Sequence, residues 1–402
     1  MEKILYIYCG DNDKNYPNED HDVKAYSLGI GRIKGQNVLS INDPKKLNNI
    51  ATSNADVYTD FVYKQNQEFI SKNLIYMERL SLYFLTDFSC KRSEIFSTYS
   101  NFCNSIFIKD FLEENKIDKV IFDGCNKDTF QSINSVIGKI DYKRKAIKDD
   151  SLLLSYVLIK NITFFLKLVI GVFIRSIFIS RRKTQKKEVK NLFLTRYPLH
   201  LNNNLHEDKF GDLVSDKDIF LVNLLTDGLH QNLGIKDYLI ATKKLASIEK
   251  VRILDDYLSI KDILASFLYS VVLIFKFRPI LSKRYNLQNI DLTESIKKEL
   301  YFSLIRLPRL LMWLNPLNKF FNSISVKKIY YYLHEYPYGR MITFFLNSLS
   351  PKTKSVGFQH GPASLRKLLY MAASNELSIS ANGINSFPLP NMVLAEDEFS
   401  KK

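Results

Sequence analysis

Short apolar runs that stop at polar residues recur along the chain, and this pattern predicts β-strands. Residues 3–8 form one such run and end before Cys9, and residues 119–122 form another and end before Asp123. Between them, apolar residues at helical spacing predict a helix over residues 67–87. Strand, helix and strand in alternation predict a parallel sheet covered by helices.

The same pattern restarts in the second half of the chain. Further strands are predicted at residues 191–195, 219–225, 250–254, 327–333 and 354–358. A helix predicted over residues 339–349 joins the last two of them into a βαβ unit. The final residues, 389–402, are typical of a strand and turn that enter a further domain.

These elements predict an α/β fold of Rossmann-like parallel sheets with covering helices. The 402 residues exceed one average domain. We predict an N-terminal α/β region at 1–150, an apolar and basic helical connector at 151–190, and an α/β region at 191–388. Residues 389–402 would then begin a C-terminal domain that is largely absent.

The connector contains an apolar segment, residues 162–180, which carries Lys167 and Arg175, and a basic segment, residues 181–190, follows at once. Charges near a bilayer centre are costly, so a membrane span is disfavoured. The spacing fits either an amphipathic helix on anionic lipid or a buried helix with a charged exit. The apolar residues 263–275 are too few to span and predict a core helix.

The net charge of +15 favours anionic partners, namely lipid, polyanions or phosphorylated substrates, or it reflects lysines on a solvated surface. Nucleic acid is disfavoured, because basic and aromatic residues are not interleaved and no nucleic-acid-binding motif occurs. The four cysteines include no CxxC pair, and no histidine stands at metal-ligand spacing, so we predict no metal site and no cofactor. Without a signal-peptide pattern, the expected location is the cytoplasm, free or peripheral at the inner membrane.

Polar residues able to carry chemistry follow both strands of the last βαβ unit. His334 and Glu335 come after the first, and Gln359, His360 and Gly361 come after the second. Ligands of open α/β sheets bind beyond the carboxyl ends of the strands, so both groups should face one crevice. A carboxylate there can accept the proton of an attacking hydroxyl, and an imidazole can hydrogen-bond a phosphate.

The helix between these strands begins near Tyr338, Gly339 and Arg340. A helix N-terminus attracts a phosphate or carboxylate through its free N–H groups, and Arg340 could add a bidentate contact. We therefore expect these three residues to bind substrate.

The run from Lys328 to Gly361, KIYYYLHEYPYGRMITFFLNSLSPKTKSVGFQHG, resembles the bacterial surface carbohydrate biosynthesis proteins. The segments at 77–93, 193–198 and 289–300 are similar to the same family, and the second adds Arg196 as a substrate-binding residue. The resemblance implies a GT-B glycosyltransferase of capsule or lipopolysaccharide assembly. It would use a nucleotide-sugar and a glycan or lipid-linked acceptor, with Glu335 and His360 as catalytic residues.

Two departures and several alternatives accompany this resemblance. His334 stands where Asn or Gln would be expected, and Pro362 follows Gly361. A retaining route would need a carboxylate nucleophile such as Asp123 or Asp227. A non-catalytic membrane-associated assembly protein and a polyol-phosphate transferase are the other functional hypotheses.

Overall fold

The computed structural model describes residues 2–16, 21–146, 154–178, 188–196, 208–215, 217–225, 234–332, 334–359, 361, 367–377, 384 and 387–396. The strands are β1 (Glu2–Tyr8), β2 (Lys14–Asn15), β3 (His21–Ser27), β4 (Ile33–Lys34), β5 (Val38–Ser40), β6 (Ile75–Tyr76), β7 (Leu80–Ser81), β8 (Lys119–Asp123), β9 (Asp141–Lys145), β10 (Glu188–Arg196), β11 (Ile219–Asn223), β12 (Val251–Ile253), β13 (Asn286–Leu287), β14 (Ile290–Asp291), β15 (Ser325–Tyr332), β16 (Lys354–Phe358) and β17 (Met392–Leu394). The helices are α1 (Pro44–Ser53), α2 (Ala55–Lys64), α3 (Asn66–Ser71), α4 (Thr98–Glu114), α5 (Lys127–Asn134), α6 (Leu154–Phe178), α7 (Ile235–Ala246), α8 (Ile260–Leu281), α9 (Thr293–Leu311), α10 (Leu314–Ser323) and α11 (Pro337–Leu349).

Two parallel sheets organise the fold, as the alternation of strands and helices predicts. The first has the strand order β5-β3-β1-β8-β9 and the second the order β12-β11-β10-β15-β16-β17. All pairings in both sheets are parallel. In each sheet the order reverses beside the first strand, between β1 and β8 and between β10 and β15. Such reversals are where ligands bind in doubly wound folds.

The second sheet differs from the expectation for the end of the chain. β17 pairs with β16 and forms the edge strand of the second sheet. The described residues therefore already contain two Rossmann-like sheets, and the expectation of a largely absent second half does not fit. The reason is that a strand of three residues carries no signal of which sheet it joins.

The predicted helix over residues 67–87 is wrong beyond Ser71, where α3 ends. Asn73, Met77 and Glu78 adopt positive φ angles between 51° and 55°, which no α-helix accommodates. Residues 80–90 continue as a short strand and two 3₁₀ turns that are buried throughout. Because these residues are buried all round, the spacing of their apolar side chains does not indicate which side faces the core, and it does not predict a helix.

The two apolar helices also differ from expectation. α8 has 22 residues, more than the predicted segment, and both α6 and α8 are long and apolar enough to cross a membrane by length and composition. Arg175 does not share a solvent-facing stripe with Lys167. It is buried, its Nη1 lies 3.1 Å from the Tyr238 hydroxyl, and its guanidinium pairs with Asp256.

Candidate functional site

His334 and Glu335 come shortly after β15, which ends at Tyr332, at the edge of the second sheet where the strand order reverses. β15 lies between β10 and β16, so its carboxyl end is bordered by the ends of both neighbours. Both side chains are largely buried, with 8% of His334 and 4% of Glu335 exposed. A carboxylate and an imidazole thus meet at the position where this fold class binds ligands.

The two side chains contact each other. His334 Nδ1 lies 3.2 Å from Glu335 Oε2 and 3.1 Å from the carbonyl oxygen of Phe358. Both of these neighbours are hydrogen-bond acceptors, so we assign the proton to Nδ1. In the neutral ring, Nε2 is then the atom that can accept a proton.

Tyr370 also contacts the carboxylate. Its hydroxyl lies 3.3 Å from Glu335 Oε1 and 3.2 Å from the carbonyl oxygen of Gly361. Burial, and then the charge of Glu335, raise the pKa of Tyr370, so the phenol stays protonated and can donate. Gly361 has φ +75°, a conformation that favours glycine.

The position of His334 depends on a glycine in the neighbouring strand. A Cβ atom built on Gly357, in β16, would lie 2.7 Å from both Cβ and Cγ of His334. No real Cβ contact is that short, so the imidazole occupies space that only glycine leaves open.

The start of α11 is close to its predicted place, and it begins with Pro337 at the first helical position. The hydroxyl of Tyr338 accepts a hydrogen bond of 3.0 Å from Asn223 Nδ2, which connects the helix to the end of β11. Gly339 lies in the first turn and is buried.

Arg340 is fully buried, and its guanidinium is directed at the first half of the chain. Nη1 donates to the carbonyl oxygen of Phe84 at 3.1 Å and to Ser89 Oγ at 2.9 Å, and the guanidinium lies over the Phe387 ring. These contacts hold α11 against residues 82–90. The predicted phosphate contact would require this arrangement to change.

Gln359 joins the ends of β16 and β17. Its N–H donates to the carbonyl oxygen of Leu394 at 3.1 Å, and its Oε1 accepts from the Glu396 N–H at 3.3 Å. The structure thus brings His334, Glu335 and Gly361 into one contact group through Tyr370, with Gln359 at the adjoining strand end.

Other predicted residues lie elsewhere or outside the described residues. His360 and Asp227 are outside them, as is the side chain of Arg196, whose backbone ends β10. Asp123 ends β8 in the first sheet, where it accepts from the Tyr6 hydroxyl and pairs with Lys14 at 2.5 Å.

Comparisons of the chain with protein-family models, curated proteins and solved structures found no match. The resemblance to surface carbohydrate biosynthesis proteins therefore stays a prediction drawn from the sequence. Among the residues that the structure describes, no group of three or more His, Cys, Asp or Glu side chains could hold a metal ion.

Sequence reasoning missed two contributors to the site. Tyr370 follows no predicted strand, and only the fold brings it to Glu335. Arg92 places its guanidinium 4.6 Å from the centre of the Tyr336 ring, next to the catalytic candidates. Arg92 lies in the segment at 77–93, and its position in the sequence gives no indication of a contact with Tyr336.

Proposed function

We propose that the chain is a GT-B-type glycosyltransferase that moves a sugar from a nucleotide-sugar to a hydroxyl of a bacterial surface polysaccharide or lipid-linked glycan. The presence of two Rossmann-like sheets supports this proposal. The observation that carries it is the contact between His334 and Glu335 at the strand reversal of the second sheet. That edge is the proposed nucleotide-sugar site.

In the proposed reaction, the acceptor oxygen attacks the anomeric carbon as the bond to the nucleotide phosphate breaks. The phosphate leaves with the bonding electrons. The acceptor hydroxyl gives its proton to Nε2 of His334, and the Glu335 carboxylate stabilises the imidazolium that forms. This assignment changes the sequence prediction of Glu335 as the base, because its Oε2 lies 3.2 Å from His334 Nδ1, where the carboxylate can orient the imidazole.

Glu335→Gln tests the proposal while preserving the size of the side chain. We expect sugar transfer to fall by about 10²–10⁴-fold, since Glu335 orients the base His334 and stabilises its imidazolium, and loss of such a carboxylate costs up to about 10⁴-fold. Sugar transfer by His334→Asn should fall by a similar factor. Glu113→Gln on α4, where the carboxylate is well exposed, is the matched control and should retain full activity. Turnover is measured with a panel of nucleotide-sugars and isolated surface glycans, and folding by circular dichroism.

The outcomes separate the alternatives. Full activity of folded Glu335→Gln protein would contradict the catalytic assignment. Turnover of a nucleotide-activated polyol in place of a nucleotide-sugar would identify a polyol-phosphate transferase. If the folded protein showed no turnover and no nucleotide binding, the result would favour a non-catalytic assembly protein.

A further inference from the structure

One side of α8 carries apolar side chains that the described part of the chain leaves exposed. Their exposed fractions lie between 41% and 64%, and their spacing of three to four residues places them on one side of the helix. They are Ile260, Leu264, Leu268, Val272 and Phe275.

α6 presents a similar stripe, with exposed fractions between 46% and 61%. It consists of Ile159, Leu166, Ile170 and Phe173. The two helices pack against each other, with the Phe165 and Phe267 rings 6.0 Å apart. We call the two stripes together the α6–α8 face. Exposed apolar surface of this extent is typical of an interaction site.

The opposite sides of both helices are bound to the protein along their length. Asn161 of α6 accepts from Arg309 Nε at 3.0 Å, and Arg175 near the other end bonds Tyr238. Ser266 of α8 donates to the Pro308 carbonyl oxygen at 3.1 Å. Since neither helix stands away from the protein, the face can lie on a membrane surface without crossing it.

The charges on these helices select an anionic partner. The single carboxylate, Asp262, is paired with Lys319 at 2.7 Å. Besides the buried Arg175, the helices carry basic residues at Lys160, Lys167, Lys261, Lys276 and Arg278. Long basic side chains can extend from an apolar surface to the phosphates of lipid headgroups.

We propose that the α6–α8 face binds an anionic phospholipid bilayer, with both helices parallel to the membrane surface. A second copy of the chain is a poorer partner, because each copy has a net charge of +15 and the same basic residues beside the face. The proposal extends the predicted contact at residues 162–190 to α8, and it holds whether or not the chain is a glycosyltransferase.

Sedimentation of the full chain with vesicles tests the proposal. We expect binding to phosphatidylcholine vesicles that contain phosphatidylglycerol, and weak binding to phosphatidylcholine alone. Leu264→Gln combined with Leu268→Gln should weaken binding by about tenfold or more, because two exposed leucines lose their burial in the bilayer. Lys276→Gln combined with Arg278→Gln should remove most of the preference for phosphatidylglycerol. Ile30→Gln combined with Leu39→Gln removes two exposed apolar side chains of the first half and should change nothing.

A second measurement does not depend on lost binding. In Leu268→Trp, fluorescence emission should shift to the blue when phosphatidylglycerol vesicles are added, whereas the one native tryptophan, Trp313, is buried and should not respond. Failure of the wild-type chain to bind vesicles, or equal binding by the α8 leucine variant, would overturn the proposal. A wild-type dimer that these leucine substitutions dissociate would also overturn it, because the face would then bind a second copy. Resistance to alkaline extraction from membranes would overturn it too, because the helices would then cross the bilayer.

Discussion

Gly357 sets the position of the imidazole in the candidate site. Gly357→Ala must displace His334, because the added methyl carbon would lie 2.7 Å from two of its atoms. We expect sugar transfer to fall by about tenfold or more, while the protein stays folded with a cost of about 1–3 kcal/mol for overpacking. The measurements are transfer rate and the free energy of unfolding in urea.

Gly171→Ala is the matched control. Its Cβ would lie 3.4 Å from the Tyr238 ring, an ordinary contact, and alanine favours the helix. We expect unchanged transfer and equal or greater stability. If Gly357→Ala retained full transfer, the position of His334 would not matter for the reaction.

Individual site residues could be predicted from the sequence where polar side chains come immediately after a predicted strand. His334 and Glu335 could be predicted because they come straight after an apolar run. The roles of Gly357 and Tyr370 could not, because each depends on a contact with a residue that is distant in sequence.

Among the elements, α11 is held in place by Arg340. Arg340→Lys keeps the charge but loses the planar donor group that reaches Phe84 and Ser89 together. We expect it to destabilise the protein by about 1–3 kcal/mol, since buried acceptors lose a partner. Arg79→Lys alters an exposed bond of 3.4 Å to the Ser348 carbonyl oxygen and should have little effect.

Urea denaturation and calorimetric titration with nucleotide-sugars distinguish this structural role from the predicted phosphate contact. A ligand role predicts wild-type stability and lost nucleotide binding for Arg340→Lys. The structural role predicts lower stability, with binding retained by the protein that remains folded.

The strands that sequence reasoning located are those with buried, continuous apolar runs, such as β1, β8 and β16. β9 could not be located in this way, because it is an edge strand with the exposed, mostly charged sequence DYKRK. A continuous apolar run indicates a strand that is buried on both faces of a parallel sheet. An edge strand is less buried, so its sequence can be polar.

The whole molecule was harder to predict than its elements. The alternation of strands and helices indicated parallel sheets, but not how many strands each contains or that β17 joins the second sheet. Which sheet a strand joins depends on backbone hydrogen bonds between segments that are distant in sequence. The periodicity of side chains along the chain does not predict these bonds.

The two sheets share one continuous hydrophobic core, which includes Leu5 and Ile7 of β1 together with Leu192 and Phe193 of β10. Buried polar contacts cross between the halves as well. Lys91 Nζ lies 2.9 Å from Glu376 Oε2, with both side chains buried, and burial lowers the pKa of Lys91. A shared core of this kind should make the two halves unfold together.

We therefore expect one thermal unfolding transition, with calorimetric and van't Hoff enthalpies that agree. Lys91→Met should lower the midpoint of that whole transition, because it leaves the Glu376 carboxylate buried without its cation, at a cost of about 3–5 kcal/mol. Lys34→Met, which breaks an exposed pair with Asp13, should change the midpoint little. Differential scanning calorimetry measures all three proteins. Two separate transitions in the wild type, with Lys91→Met shifting only one of them, would mean that the halves fold as independent units.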